Sequence, residues 1–303
     1  MSGVKRNSLK AWWLAARPKT LTGALIPVML GTALAFHDGQ SHWLTAFLCG
    51  LFACGMQIAA NFINDWYDFK KGTDREDRLG PERACAQGWV SLKAMKIGIT
   101  VTLVISCLIG LTALFLEVNE LKYQGWEIIA IGALCVVFCF LYTTYLSYLG
   151  WGDLLVLVFF GIIPVCGTYY LQVHNLRLAV LLVSVISGVV IDTLLMVNNY
   201  RDREQDTISG KMTLVVRFGE PFGRYAYLLL GVVSALLTIF LLIDGTVSIY
   251  GFIVSAGVYL TLHYHTWKKM CEIRCGKKLN SILGENSRNM LLFGILLSLA
   301  IVC

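Results

Sequence analysis

The stretch NFINDWYDFKKGTD, Asn61 to Asp74, decides how this chain is read. It runs straight on from WLTAFLCGLFACGMQIAA, residues 43–60, which is oily enough to live in lipid. Three aspartates, two asparagines and two lysines then arrive at the end of one apolar segment. Gln57, Asn61, Asn64, Asp65 and Asp68 follow one another in steps of three or four, so on a helix they share one face. Acids at a helix C-terminus oppose the helix dipole, and an ionised Asp at the centre of a span costs roughly 2.5–3.5 kcal/mol. A row of oxygen ligands there is tolerable when cations sit between the carboxylates.

A second stripe lies far along the chain. Asp192, Asn199, Asp202 and Asp206 are spaced by seven, three and four, again on one helical face, with Asn198 beside them. The ligands are hard oxygens without His or Cys, which indicates Mg²⁺ or Ca²⁺ over zinc or copper. Mg²⁺ commonly uses one or two carboxylates and fills its shell with phosphate oxygens. The loops after the stripes carry Lys70, Lys71, Arg75, Arg78, Arg83, Arg201, Lys211 and Arg217. Arg201 and Lys211, set inside the second acidic segment, are candidates to bind phosphate. Metal, diphosphate and a greasy surround fit the ionisation of an allylic isoprenyl diphosphate.

The rest of the chain sets the frame. Of 303 residues, 57% are apolar and 15% charged, with mean hydropathy +0.67. Soluble domains carry about 25% charge, so lipid is the expected solvent. Apolar runs near the length that crosses a bilayer fall at 20–36, 43–63, 97–116, 126–146, 154–173, 178–198, 225–243, 246–263 and 289–303. We therefore expect an all-α, polytopic membrane protein: nine transmembrane helices in one bundle, a single domain over 1–303. The two stripes, four spans apart, predict two four-helix pseudo-repeats plus one extra helix. No small-residue cleavage site follows the first apolar run, so no removable signal peptide is expected.

Charge orients the spans. With the N-terminus in the cytoplasm, 23 of the 25 Lys and Arg residues fall in inner segments, leaving only Lys122 and Arg177 outside. That arrangement places both stripes on the cytoplasmic face and the C-terminus outside. The net charge of +6 then reflects orientation, and no nucleic-acid partner is expected. Most of the ten cysteines lie in or beside apolar spans, where a thiol is a small hydrophobe. Cys271 and Cys275, near His263 and His265, lack the ligands of a zinc site and read as reduced thiols.

NDWYDFKKGTD (Asn64 to Asp74) and NNYRDREQD (Asn198 to Asp206) resemble the two Asp-rich motifs of the UbiA superfamily of intramembrane prenyltransferases. ARPKTL (Ala15 to Leu21), DRLGPERA (Asp77 to Ala84) and GKMTLVVRFG (Gly210 to Gly219) resemble its menaquinone branch, whose acceptor is 1,4-dihydroxy-2-naphthoate. GWGD (Gly150 to Asp153) departs from that branch, with Trp151 where leucine is more usual. The resemblance implies transfer of a polyprenyl group from polyprenyl diphosphate to dihydroxynaphthoate, releasing carbon dioxide and diphosphate, in a bacterial inner membrane. It implies Mg²⁺ held by Asn61, Asn64, Asp65, Asp68 and Asp74 on one side and Asn198, Asn199, Asp202 and Asp206 on the other. Arg201, Lys211, Arg78 and Arg83 would face the diphosphate, and Arg17 with Lys19 the acceptor carboxylate. Tyr142, Tyr145 and Tyr148 would shield the allyl cation. Other aromatic acceptors, such as 4-hydroxybenzoate, and an ion-coupled transporter are the competing expectations.

Overall fold

The computed structural model describes residues 4–72 and 78–303. In chain order the helices are α1 (Leu9–Ala16), α2 (Leu21–His37), α3 (Trp43–Lys71), α4 (Leu92–Glu117), α5 (Trp126–Thr144), α6 (Gly152–Leu157), α7 (Ile163–Val173), α8 (Leu178–Ile208), α9 (Leu214–Ile243), α10 (Ile249–Ile273) and α11 (Leu279–Val302). Four begin at a hydroxyl cap: Ser8, Ser91, Thr213 and Ser248 accept from the N–H groups of Ala11, Ala94, Val216 and Gly251 at 3.2–3.3 Å. α3 stops at Gly72, whose φ of 73° suits a residue without Cβ, and Lys70 and Lys71 offset the dipole in its last turn.

Eight segments of the described chain are long and apolar enough to cross a bilayer: Leu9–His37, Trp43–Lys71, Leu92–Glu120, Trp126–Thr144, Gly152–Val173, Leu178–Ile208, Leu214–Ile243 and Leu279–Val302. α10 occupies the position of the remaining expected run, packed between α9 and α11. His263, His265, Lys268 and Lys269 make its second half more polar. His263 is buried there, with Nε2 2.9 Å from the Tyr227 carbonyl oxygen.

Two segments depart from simple spans. α1 precedes the expected first run and breaks at Arg17, held at φ 51° and ψ 66°, before Pro18 and a short 3₁₀ turn lead into α2. α6 and α7 are joined by a π-helical turn, Val158–Ile162, just before Pro164. Gly161 in that turn lies so near α8 that a Cβ would stand 2.4 Å from the Ser184 carbonyl oxygen. Small residues bring backbones together where lipid supplies no hydrophobic drive between helices.

α8 is the central helix. Ile186, Val190 and Ile191 on it pack with Ile26 and Leu30 of α2 and Phe293 and Leu297 of α11. α4 and α5 form the rim: Ile97, Val101, Val104, Leu108, Leu111, Val137 and Phe140 face outward, as lipid-facing side chains do. α3 and α8 finish at the same end of this bundle, so their acidic ends are placed together.

Candidate active site at the acidic end of the bundle

The loop after α3 is the staple between the stripes. Asp65, buried, accepts from the N–H groups of Ala84 (2.8 Å to Oδ2) and Cys85 (3.0 Å to Oδ1). Arg83 Nη2 donates to Asp68 Oδ2 at 2.9 Å. At the loop's start, the Leu79 N–H donates to Gln205 Oε1 of α8 at 3.4 Å. Asn280, opening α11, donates to the Leu79 carbonyl at 2.8 Å and accepts from Arg201 Nη1 at 2.8 Å. One loop thus fixes α3, α8 and α11 against each other.

The second stripe is paired with cations of its own segment. Arg201, buried, donates from Nε and Nη2 to the two carboxylate oxygens of Asp202 at 2.7 and 2.6 Å. Lys211 Nζ lies 3.7 Å from Asp206 Oδ1, and its N–H bonds the Asp206 carbonyl at 2.8 Å. Asp206 Oδ2 is buried with no hydrogen-bond partner. Burial works to lower the Lys211 pKa, but Asp206, Tyr142, Asp202 and Asp68 outweigh it and hold the ammonium above the ordinary lysine value. Lys211 therefore stands between the stripes, within the field of Asp68 from α3 and of Asp202 and Asp206 from α8.

The other expected residues divide. Asn61 is buried and donates to the Ala16 carbonyl and Thr20 Oγ1, both at 2.9 Å. Asn64 accepts from the Thr143 hydroxyl. Asn198 donates to the Leu194 carbonyl at 3.1 Å. Arg78 donates to the Pro81 carbonyl at 3.3 Å. Arg17 feels the charges of Arg83, Asp65, Arg78 and Asp68, and its Nη2 is buried with no hydrogen-bond partner. Asn199 and Tyr142 line a small cavity with Asp153 and Lys211. Tyr148 takes the Lys71 ammonium over its ring at 3.4 Å. Tyr145 is exposed and is not brought into this group. Asp74 lies outside the described residues. Asn280, Gln205 and Asp153 join the site without having been singled out; only the polar GWGD turn after an apolar run signalled Asp153.

Among the described residues, no three His, Cys, Asp or Glu side chains form a ready metal cage. The donor chemistry still fits a hard divalent cation. Asp68, Asp202 and Asp206 offer oxygens alone, and Asp206 keeps one of them buried and unsatisfied.

These features define a class: a polytopic helical membrane protein with two acidic helix ends gathered around a buried Arg and a half-buried Lys. The UbiA prenyltransferase family model matches residues 24–282, and the chain belongs to that family. It is therefore a membrane prenyltransferase. The 1,4-dihydroxy-2-naphthoate octaprenyltransferase of Haemophilus influenzae is 35% identical over 301 residues, covering 98% of this chain and 97% of that one. The enzyme of the same name from Escherichia coli is 38% identical over 237 residues, 76% of each chain. A structure of a UbiA homolog from Archaeoglobus fulgidus bound to GPP and Mg²⁺ superposes with TM-score 0.68 at 14% identity, covering 96% of this chain and 99% of that one. The last likeness is one of fold.

Proposed function

We propose that this protein transfers a polyprenyl group from polyprenyl diphosphate to 1,4-dihydroxy-2-naphthoate, releasing carbon dioxide and diphosphate to give demethylmenaquinol. The observation that carries the acceptor is the near-full-length identity to the Haemophilus influenzae relative of that name. The observation that supports the chemistry is the position of Lys211 between the two acidic helix ends.

In this reading the whole chain, 1–303, is one domain of nine spans in two four-helix halves plus α11. The N-terminus and the acidic end face the cytoplasm and the C-terminus faces outward, a reading supported by the distribution of Lys and Arg. Asp68, Asp202 and Asp206 hold Mg²⁺, with Asn64, Asn198 and, on its position in the sequence, Asp74. When bound, Mg²⁺ supplies the positive charge that neutralises a departing diphosphate. Asp65 holds the loop that presents Arg83, Asn61 fixes the break before α2, and their oxygens would join the set that holds the ions. Arg201 and Lys211 give charge-assisted hydrogen bonds to diphosphate oxygens. Arg17, with its unpartnered Nη2, receives the acceptor carboxylate. Asn199 and Tyr142 belong to the acceptor side of the site.

The test is direct. Purified protein in liposomes is given labelled polyprenyl diphosphate with dihydroxynaphthoate, 4-hydroxybenzoate or homogentisate. Product is expected with dihydroxynaphthoate, lost with a chelator and restored by Mg²⁺. Prenylation of 4-hydroxybenzoate with none of dihydroxynaphthoate would overturn the acceptor; full turnover in chelator would overturn the metal.

A further inference from the structure

Two carboxyl groups of the bundle interior have no role in the reading above. Asp192 lies on α8, 7% exposed, and its Oδ1 has no hydrogen-bond partner. Asp153, in the first turn of α6, also has a buried Oδ1 without a partner. The two helices pack together, and the carboxyls feel each other's charge. Buried carboxyl oxygens without partners, inside and at the end of membrane spans, are costly and mark function by default.

A cavity of about 10 Å³ adjoins Asp153, lined also by Tyr142, Ser147, Asn199, Lys211 and Thr213 among others. That is room for a single oxygen atom and no ring. Asp192 precedes the cavity residues Leu195 and Asn199 by three and seven positions, so it lies on the same face of α8, further into the bundle. The charged and titratable groups facing the pair are Tyr142 from α5 and Lys211 from the turn before α9; Asp206, toward the end of α8, reaches Tyr142 from the other side.

We propose that the Asp153–Asp192 pair is the acid–base group for the aromatic acceptor, with the acceptor's hydroxyl oxygen in this cavity. The inference rests on the proposed function. Prenylation that replaces a carboxyl group has an unusual proton balance: carbon dioxide leaves, not H⁺. A proton taken to activate the ring must be kept and given back. The pair takes the proton of the hydroxyl next to the carboxyl-bearing carbon, and the O–H electron pair moves into the ring. That carbon bonds to C1 of the donor as the C1–O bond breaks and its electrons leave with diphosphate. The product is a β-keto carboxylate. Its C–C bond to the carboxylate breaks, releasing carbon dioxide, and the electrons restore the aromatic ring as the pair returns the proton to oxygen. No oxidant or extra proton is consumed. Two neighbouring carboxyls in a low dielectric suit the task, because a pair that shares one proton loses its buried charge on taking a second.

The experiment uses the full chain in liposomes with Asp153→Asn and Asp192→Asn, each with its Glu counterpart. Acceptors are dihydroxynaphthoate and its analogue methylated on the hydroxyl beside the carboxyl. Each Asn variant is expected to lose about 10²-fold in kcat on dihydroxynaphthoate, with donor KM unchanged and the acid limb of the pH–rate profile flattened. The Glu variants recover part of the rate. Slow turnover of the methylated analogue is equal in wild type and variants, since no hydroxyl proton exists to move. Wild-type kcat and pH profile in both Asn variants would overturn the proposal. If the variants do not fold, wild type alone decides: methylated analogue turned over as fast as dihydroxynaphthoate overturns it, and a large deficit supports it. Failure of wild type to prenylate dihydroxynaphthoate at all is a separate result, and sinks the reading underneath.

Discussion

The two ends of the bundle treat buried acids differently. Opposite the acidic end, Glu117 accepts from Thr45 Oγ1 at 2.5 Å and lies 2.9 Å from His42 Nδ1 and 3.3 Å from His174 Nε2. Asp38 accepts from the Tyr169 hydroxyl and from Arg177 Nε at 2.9 Å, and Arg177 reaches on to Thr246 at 3.2 Å and Asp244 at 3.5 Å. These partners come from different helix ends, so each contact ties the fold together. At the acidic end, Asp202 is paired with the next residue back in sequence, and Asp206 has a cation at 3.7 Å on one oxygen and no partner on the other. Contacts of that kind join nothing distant. One end uses its acids to hold the fold; at the other, Asp65 and the loop after α3 do the holding, and Asp202 and Asp206 keep only short-range partners that, in the proposed reading, an anion and its metal exchange.

The largest expected effect follows from that contrast. Asp206→Ala should lower kcat by about 10³-fold, the scale of losing one preorganised electrostatic group, while thermal stability in detergent stays near wild type. Glu117→Ala should leave kcat at 25 °C unchanged. Equal loss of turnover in both variants would erase the distinction between the ends.

Arg201→Lys comes next. It keeps the charge but loses the planar fork that grips Asp202 and reaches Asn280. A charged hydrogen bond contributes about 1.5–3 kcal/mol, so donor KM should rise by about 10-fold or more. An unchanged KM would confine Arg201 to holding α8 against α11.

Glu117→Ala has its own signature in stability. The substitution strips a partner from buried Thr45, and from His42 at the surface, and the buried loss costs about 1–3 kcal/mol. A lowered melting temperature with normal turnover fits the holding role; an unaltered melting temperature removes it.

How far these ends could be read from sequence depends on what spacing encodes. Steps of three and four put Asp65 and Asp68 on one face of α3, and Asp202 and Asp206 on one face of α8. Spacing does not name a partner. Asp65 spends both oxygens on the N–H groups of Ala84 and Cys85, about twenty residues away, and no local pattern announces that. Asn280 was silent for the same reason, since its bonds to Leu79 and Arg201 cross more than 70 positions. Tyr142 and Tyr145 looked alike, three apart near the end of one span. α5 ends at Thr144, and Tyr145 adopts φ −138° and ψ −54°, so helical phase no longer applies and its ring turns outward. The break at Arg17 falls just before Pro18, but the docking of α1 depends on packing such as Trp12 against Phe62, rings 5.4 Å apart.

The smallest effect concerns the cation between the stripes. Asp206, Tyr142, Asp202 and Asp68 overcome the cost of burying Lys211 and raise its pKa above 10.5. A lysine raised on folding adds stability that is complete below its unfolded value and is lost as pH rises through its folded one. The difference in melting temperature between wild type and Lys211→Met should therefore stay constant from pH 6 to 9 and shrink only above about 10.5, by an amount within about 1 kcal/mol for a partly exposed pair. The same sign means that Lys211 adds no limb to the pH–rate profile in the neutral range. A wild-type profile whose neutral limb vanishes in Lys211→Met would show that the ammonium is not held by its neighbours.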